Sequence, residues 1–144
     1  RDLERALLSH LRDFLLELGI GFAFIASQYR FEVGDQEYRL DLLFYHLRLQ
    51  CFVAVDLKMG AFKPEHAGKM NFYLAALDDL LRREEDHPSI GLILCKDRNR
   101  IVVEYALRGS AQPIGVAEYR LTRRLPEELR GSLPTPEELR KRLK

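Results

Sequence analysis

A chain of 144 residues with 47% hydrophobic content suits one domain, 1–144, with one sizeable core, and excludes wholesale disorder. A net charge of +1 neither demands nor rules out a nucleic-acid partner, because a binding surface can be locally basic. With no long apolar span and no signal peptide in the sequence, a cytoplasmic location without a membrane partner is expected.

The elements are read in chain order. The chain starts at Arg1, already in a helical pattern, which points to a piece of a longer protein. Asp2 caps a first helix to about Leu18, whose apolar stripe is Leu3, Leu7, Leu11, Phe14 and Leu18. Gly19 and Gly21 stop it. Phe22 to Val33 is a strand with an irregularity near Ala26-Ser27, and Gly34-Asp35 is a hairpin turn. Gln36 to Tyr45 is the second strand. Strict alternation puts Tyr38, Leu40, Leu42 and Phe44 on one face and Arg39, Asp41, Leu43 and Tyr45 on the other. The third strand is Cys51 to Lys58, with Phe52, Ala54, Asp56 and Lys58 on one face.

After a loop, Pro64 opens a second helix to about Arg83, with Ala67, Met70, Leu74, Leu77 and Leu81 inward. Ile90 to Cys95 and Ile101 to Leu107 read as two more strands, and Val116 to Leu121 as a short edge strand. Pro126 and Pro136 introduce a short helical tail over 126–144. The predicted fold is α/β, a mixed β-sheet flanked by helices in the order αβββαββ.

A carboxylate and an ammonium emerge side by side at the end of an apolar strand, at Asp56 and Lys58, with Asp41 on the neighbouring strand. Unpaired charges are costly in a core. They suit a sheet rim that binds a metal and a phosphate. Magnesium takes oxygen ligands and keeps waters and substrate phosphate in its shell. Asp41 and Asp56 supply two carboxylates and the Leu57 backbone carbonyl a third oxygen. The chemistry suggested is metal-assisted phosphodiester hydrolysis. Lys58 positions water and stabilises charge, since a role as base would need a strongly lowered pKa.

Plainer readings stand beside this one. Asp41 could pair with Arg39 or Arg30 across the hairpin, and Asp56 with Lys58. Glu4 in a first helical turn is favoured by the helix dipole in any case. Lys69 on an exposed helix face is more often a solvated charge, and Tyr73 is ordinarily a half-buried packing residue. His10, His46, His66 and His87 lack ligand spacing and read as structural or surface residues, His66 alone lying beside the loop after the third strand. Cys51 and Cys95 fall in apolar runs and read as buried free thiols.

The order of elements, with an acid on the second strand and acid-x-Lys on the third, resembles the PD-(D/E)XK (restriction-endonuclease-like) superfamily. Asp41-Leu42-Leu43-Phe44-Tyr45-His46, Asp56-Leu57-Lys58, Phe62-Lys63-Pro64-Glu65 and Asn71-Phe72-Tyr73-Leu74 look like the C-terminal nuclease domain of the YhcG-type family. So do Gly91-Leu92-Ile93-Leu94-Cys95-Lys96, Val103-Glu104-Tyr105-Ala106-Leu107 and Leu133-Pro134-Thr135, so the resemblance covers nearly the whole chain.

The resemblance implies a bacterial, Mg2+- or Mn2+-dependent nuclease domain acting on DNA in repair, recombination or defence. It also implies an N-terminal DNA-binding-like domain in the parent chain, and a homodimer would fit. By position it implies metal binding at Asp41 and Asp56, catalysis by Lys58, and a helix acid at Glu4. Gln28, Lys69 and Tyr73 become nucleic-acid-contacting or accessory residues. Two positions depart from the family pattern: Asp56 stands where glutamate is usual and Lys69 where glutamine is common. Those departures favour the alternative, a nuclease-like domain that binds nucleic acid or a partner protein without cutting. A generic α/β interaction module would leave the acid cluster without a purpose.

Overall fold

Aromatic and β-branched side chains recur along residues 22–61, and the computed structural model folds them into three successive strands. The structure describes residues 5, 9, 21–110 and 112–118. Arg5 and Ser9 are helical and exposed, in line with the predicted first helix. The rest of that helix, Glu4 included, and the predicted tail at 126–144 lie outside the described residues.

Strand β1 (Phe22–Val33) pairs antiparallel with β2 (Gln36–His46), and β2 with β3 (Cys51–Ala61). The turn between β1 and β2 uses Gly34 at φ 63°, a backbone conformation open to glycine without strain. The predicted irregularity falls one position earlier, as a register shift between Phe24 and Ala26. Strand β3 continues past Lys58, where a loop was expected, because Ala61 pairs with Asp97 and the Phe62 N–H donates to the Asp97 carbonyl at 2.8 Å.

Helix α1 (Pro64–Leu80) starts where proline predicts. It ends before Arg83, because buried Asp86 captures the Arg83 backbone N–H at 3.0 Å and its guanidinium at 3.2 Å. The same carboxylate accepts the Tyr45 hydroxyl at 2.6 Å, tying the end of α1 to β2. Of the predicted inward stripe, Ala67, Met70, Leu74 and Leu77 are buried, joined by Tyr73, while Leu81 packs half-buried at the edge of the core.

Strand β4 (Ile90–Asp97) runs parallel to β3, and β5 (Ile114–Glu118) parallel to β4. The described residues form a five-stranded mixed sheet in the order β1-β2-β3-β4-β5. The segment expected as a strand at Ile101 to Leu107 is instead helix α2 (Arg100–Leu107). Asn99 caps it, its side chain accepting the N–H groups of Ile101 at 2.9 Å and Val102 at 3.2 Å. Parallel neighbours such as β4 and β5 need a crossover connection, and α2 lies in it. The described order is therefore βββαβαβ.

The principal core lies between α1 and the sheet, with Leu43, Ala54 and Ile93 beneath Met70, Tyr73 and Leu74. Gly91 sets the distance between these layers: a Cβ there would sit 2.6 Å from Met70 Cγ and 3.0 Å from Leu74 Cδ1. Gly91→Ala is expected to lower the free energy of unfolding by about 1–3 kcal/mol, the usual cost of overpacking. Denaturant melts of the two proteins check this; equal midpoints would mean that the layers are not held this close.

Candidate active site

The β2–β3 ladder runs from His46↔Cys51 to Leu42↔Val55. One more step would place Asp41 opposite Asp56, and there the ladder stops. Backbone N–H groups that lose a ladder partner need another acceptor when shielded from water. The two carboxylates provide it. The Asp41 N–H donates to Asp56 Oδ1 at 3.1 Å, and the Leu57 N–H donates to Asp41 Oδ2 at 2.8 Å. Each acid thus bridges the gap between the strands by holding the other strand's backbone.

The opposite side of β2 opens at the same level. Ser27↔Leu42 and Tyr29↔Leu40 are paired, but no ladder pair joins Gln28 to Asp41. Gln28 has φ 51°, uncommon for a residue with a side chain, and such outliers cost about 1–3 kcal/mol and cluster at functional sites. Its amide lies 3.5 Å from Asp41 Oδ1. Strict alternation would send Leu40 and Leu43 to opposite faces, yet both join one core cluster, so the predicted face assignment is corrected here. The break coincides with Gln28 and Asp41.

Lys58 Nζ stands 3.8 Å from Asp56 Oδ2. Each carboxylate therefore has one oxygen on a backbone N–H and the other beside a side-chain donor: Gln28 for Asp41, Lys58 for Asp56. From α1, Lys69 Nζ lies 5.5 Å from the centre of the Tyr73 ring. Asp56 is only 4% exposed. Burial holds its carboxyl above the usual carboxylate range, and the Asp41 charge pushes the same way. The hydrogen bond from the Asp41 backbone, then Lys58 and Lys69, oppose that shift without cancelling it. Burial, and next the Asp56 charge, raise the Tyr73 phenol too, which stays a protonated donor.

Gln28, Asp41, Asp56, Leu57 and Lys58 thus converge on one break in the sheet, with Lys69 and Tyr73 near enough to act on Asp56 electrostatically or feel its charge. Across the hairpin Asp41 meets Gln28, not Arg30 or Arg39. Glu4 lies outside the described residues. Among the described residues no group of three or more His, Cys, Asp or Glu side chains could hold a metal, so the side-chain donors at the break are two carboxylates. His66 lacks ligand spacing, and its position beside the loop after the third strand is the one signal in the sequence that sets it apart from the other histidines. Its ring is half-buried, its Nδ1 accepts the Lys63 N–H at 3.1 Å, and the charges of Lys58 and Lys69 both bear on it.

A family model described as "YhcG PDDEXK nuclease domain" matches residues 1–134. The chain belongs to the YhcG PDDEXK nuclease domain family. It is 43% identical over 129 residues to the Escherichia coli (strain K12) protein named "Putative nuclease YhcG", a match covering 90% of this chain and 34% of that protein. This chain therefore spans about a third of that relative's length.

Among solved structures it resembles an EndoMS–dsDNA2 complex with a TM-score of 0.62 and 11% identity, over 84% of this chain and 46% of that one. It also resembles a repair endonuclease from Pyrococcus abyssi, at a TM-score of 0.54 and 13% identity, over 78% of this chain and 46% of that one. At such identities the likeness is one of fold, and it makes this YhcG-family domain restriction-endonuclease-like in architecture.

Proposed function

We propose that the domain hydrolyses DNA phosphodiester bonds with the help of a hard divalent cation, Mg2+ or Mn2+, held by Asp41 and Asp56. The observation that carries this reading is the pair of acids facing each other where the β2–β3 ladder opens, with Lys58 3.8 Å from one of them. Two carboxylates with, among the described residues, no sulfur or imidazole donor beside them suit such a cation, which usually completes its shell with water and phosphate oxygen. Burial and mutual repulsion leave Asp56 short of positive charge even with two lysines near, which is a physical reason for a cation to enter. In a strand the N–H and C=O of one residue point to the same edge, so the Leu57 carbonyl, beside the N–H that Asp41 holds, would be a third oxygen. Glu4 is assigned by resemblance as a further acid near the site.

When bound, the cation would polarise the scissile phosphate, lower the pKa of a coordinated water and stabilise the leaving oxygen. The protein's own groups orient and hold. Lys58 places its ammonium against Asp56 and the attacking water. Lys69 offers a cation to a phosphate oxygen. The Tyr73 hydroxyl remains a neutral donor, and Gln28 fixes Asp41 Oδ1 from the side away from β3. The parent protein would act on DNA in bacterial repair, recombination or defence, with a separate N-terminal DNA-binding-like domain and two copies working together.

A second reading, DNA binding without cleavage, draws on the two-carboxylate donor set and on Lys69, a cation that already acts on Asp56. The full-length protein incubated with linear and branched duplexes separates the two. The first reading expects cleavage in Mg2+ or Mn2+ that stops with chelator and returns when metal is restored. Salt-sensitive binding with no cleavage under any of these conditions would support the second.

A further inference from the structure

We propose that His66 is a substrate-contacting residue of this site, its Nε2–H donating to a non-bridging oxygen of a DNA backbone phosphate; this rests on the nuclease reading above. The tautomer follows from a local hydrogen bond. Lys63 precedes proline and is extended, at φ −125° and ψ 149°, and its N–H donates to His66 Nδ1 at 3.1 Å. An accepting Nδ1 carries no proton, so in the neutral ring the proton sits on Nε2. That leaves a donor on the opposite edge of the imidazole. Phe62 packs edge-on against the ring, with centroids 5.9 Å apart, and limits its rotation.

His66, Lys69 and Tyr73 recur at helical spacing along α1. Lys58 and Lys69 act both on Asp56 and on His66, so the imidazole lies in the field of the same two ammonium groups as the Asp56 carboxylate. A phosphate drawn to the two ammonium groups meets the Nε2–H there. Burial first, then Lys58, hold the imidazole below its ordinary range, with Glu65 opposing and Lys63 and Lys69 assisting. It therefore remains neutral at pH 7. A neutral donor grips phosphate without adding repulsion against Lys58 or a metal ion. With Nδ1 occupied and Nε2 protonated, it has no free lone pair to serve as a base.

The test uses the full-length protein in the Asp41→Asn background, which the nuclease reading makes able to bind DNA without cutting it. With 15N-labelled histidine, the resonance lost in His66→Gln identifies this ring. The Nε2–H tautomer is expected, and its Nε2 signal should move on addition of a duplex oligonucleotide. His66→Ala should weaken DNA binding about tenfold, the scale of one hydrogen bond to a charged group. Glutamine, which can both accept from Lys63 and donate onward, should stay within about threefold of histidine.

Because the donor is neutral, the dependence of affinity on salt should keep its slope in His66→Ala, whereas losing a cationic contact lowers it by about 0.9. A purely structural role would lower thermal stability in His66→Ala and leave the Nε2 signal indifferent to DNA. The Nδ1–H tautomer, that indifference, or a reduced salt slope would each overturn the assignment while leaving the nuclease reading standing. Failure to bind DNA at all would overturn both.

Discussion

Asp41→Asn will reduce metal-dependent DNA cleavage by roughly a thousandfold or more, with little change in fold. Asparagine is nearly the same shape, and its amide oxygen can still accept the Leu57 N–H that Asp41 Oδ2 now holds at 2.8 Å. The bridge across the open ladder therefore survives. What disappears is one of two charges available to a cation. The stabilisation a metal gives to a phosphoryl transition state is several kcal/mol, and about 1.36 kcal/mol corresponds to each tenfold in rate. Single-turnover cleavage measures the loss, and circular dichroism checks the fold. Cleavage that persists at the wild-type rate would remove Asp41 from the reaction.

Asp56→Asn should lose cleavage to a similar degree and, in the absence of metal, melt at a higher temperature than the wild type at pH 7. The sign follows from the direction of the shift. The carboxyl of Asp56 lies above its ordinary value of 3.8 in the folded protein, chiefly through burial and then through Asp41. The folded state therefore binds this proton more tightly than the unfolded chain. Stability is lost as pH rises from the ordinary value through the raised one, and the loss remains at neutral pH.

Asparagine carries no charge to desolvate and keeps an oxygen for the Asp41 N–H. Its advantage over wild type should be largest at neutral pH, shrink as pH falls through the raised value towards 3.8, and be gone below 3.8, where Asp56 is protonated in both states. Comparing the two proteins at each pH cancels the other titrating groups, including Asp86, which Arg83 and Tyr45 hold down to about 2. Magnesium should raise the wild-type melting temperature and leave Asp56→Asn unmoved. A variant less stable than wild type at pH 7 without metal would contradict this account of the buried charge.

Much of the architecture is written in local patterns. The three antiparallel strands follow from runs of aromatic and β-branched residues broken at Gly34, and the inward face of α1 from the spacing of Ala67, Met70, Leu74 and Leu77. The approach of Asp41, Asp56 and Lys58 was also legible, because an acid and acid-x-Lys at matching depths of adjacent strands can meet across a ladder.

Helix α2 was misread because Ile101, Val103, Tyr105 and Leu107 alternate as strand residues do. Its inward residues are instead Val102, Val103, Ala106 and Leu107, at helical spacing, while Ile101 and Tyr105 are each 64% exposed. The informative signals were the Asn99 cap and the need for a crossover between parallel strands. The break at Gln28 and Asp41 was not legible in detail. Nothing in a glutamine announces a φ of 51°, and a side chain that replaces a ladder hydrogen bond is visible only once strand positions are known. The role of His66 was hidden for a similar reason, since its tautomer depends on a neighbour's backbone.

Equilibrium binding of Mn2+ to the full-length protein, compared among wild type, Asp41→Asn and Asp56→Asn, bears most directly on whether the two bridging acids form a cation site. Wild type should show a binding site that either substitution weakens by an order of magnitude or more, in parallel with its loss of cleavage. Equal Mn2+ affinity in all three proteins would contradict it and leave Asp41 and Asp56 as struts between two strands.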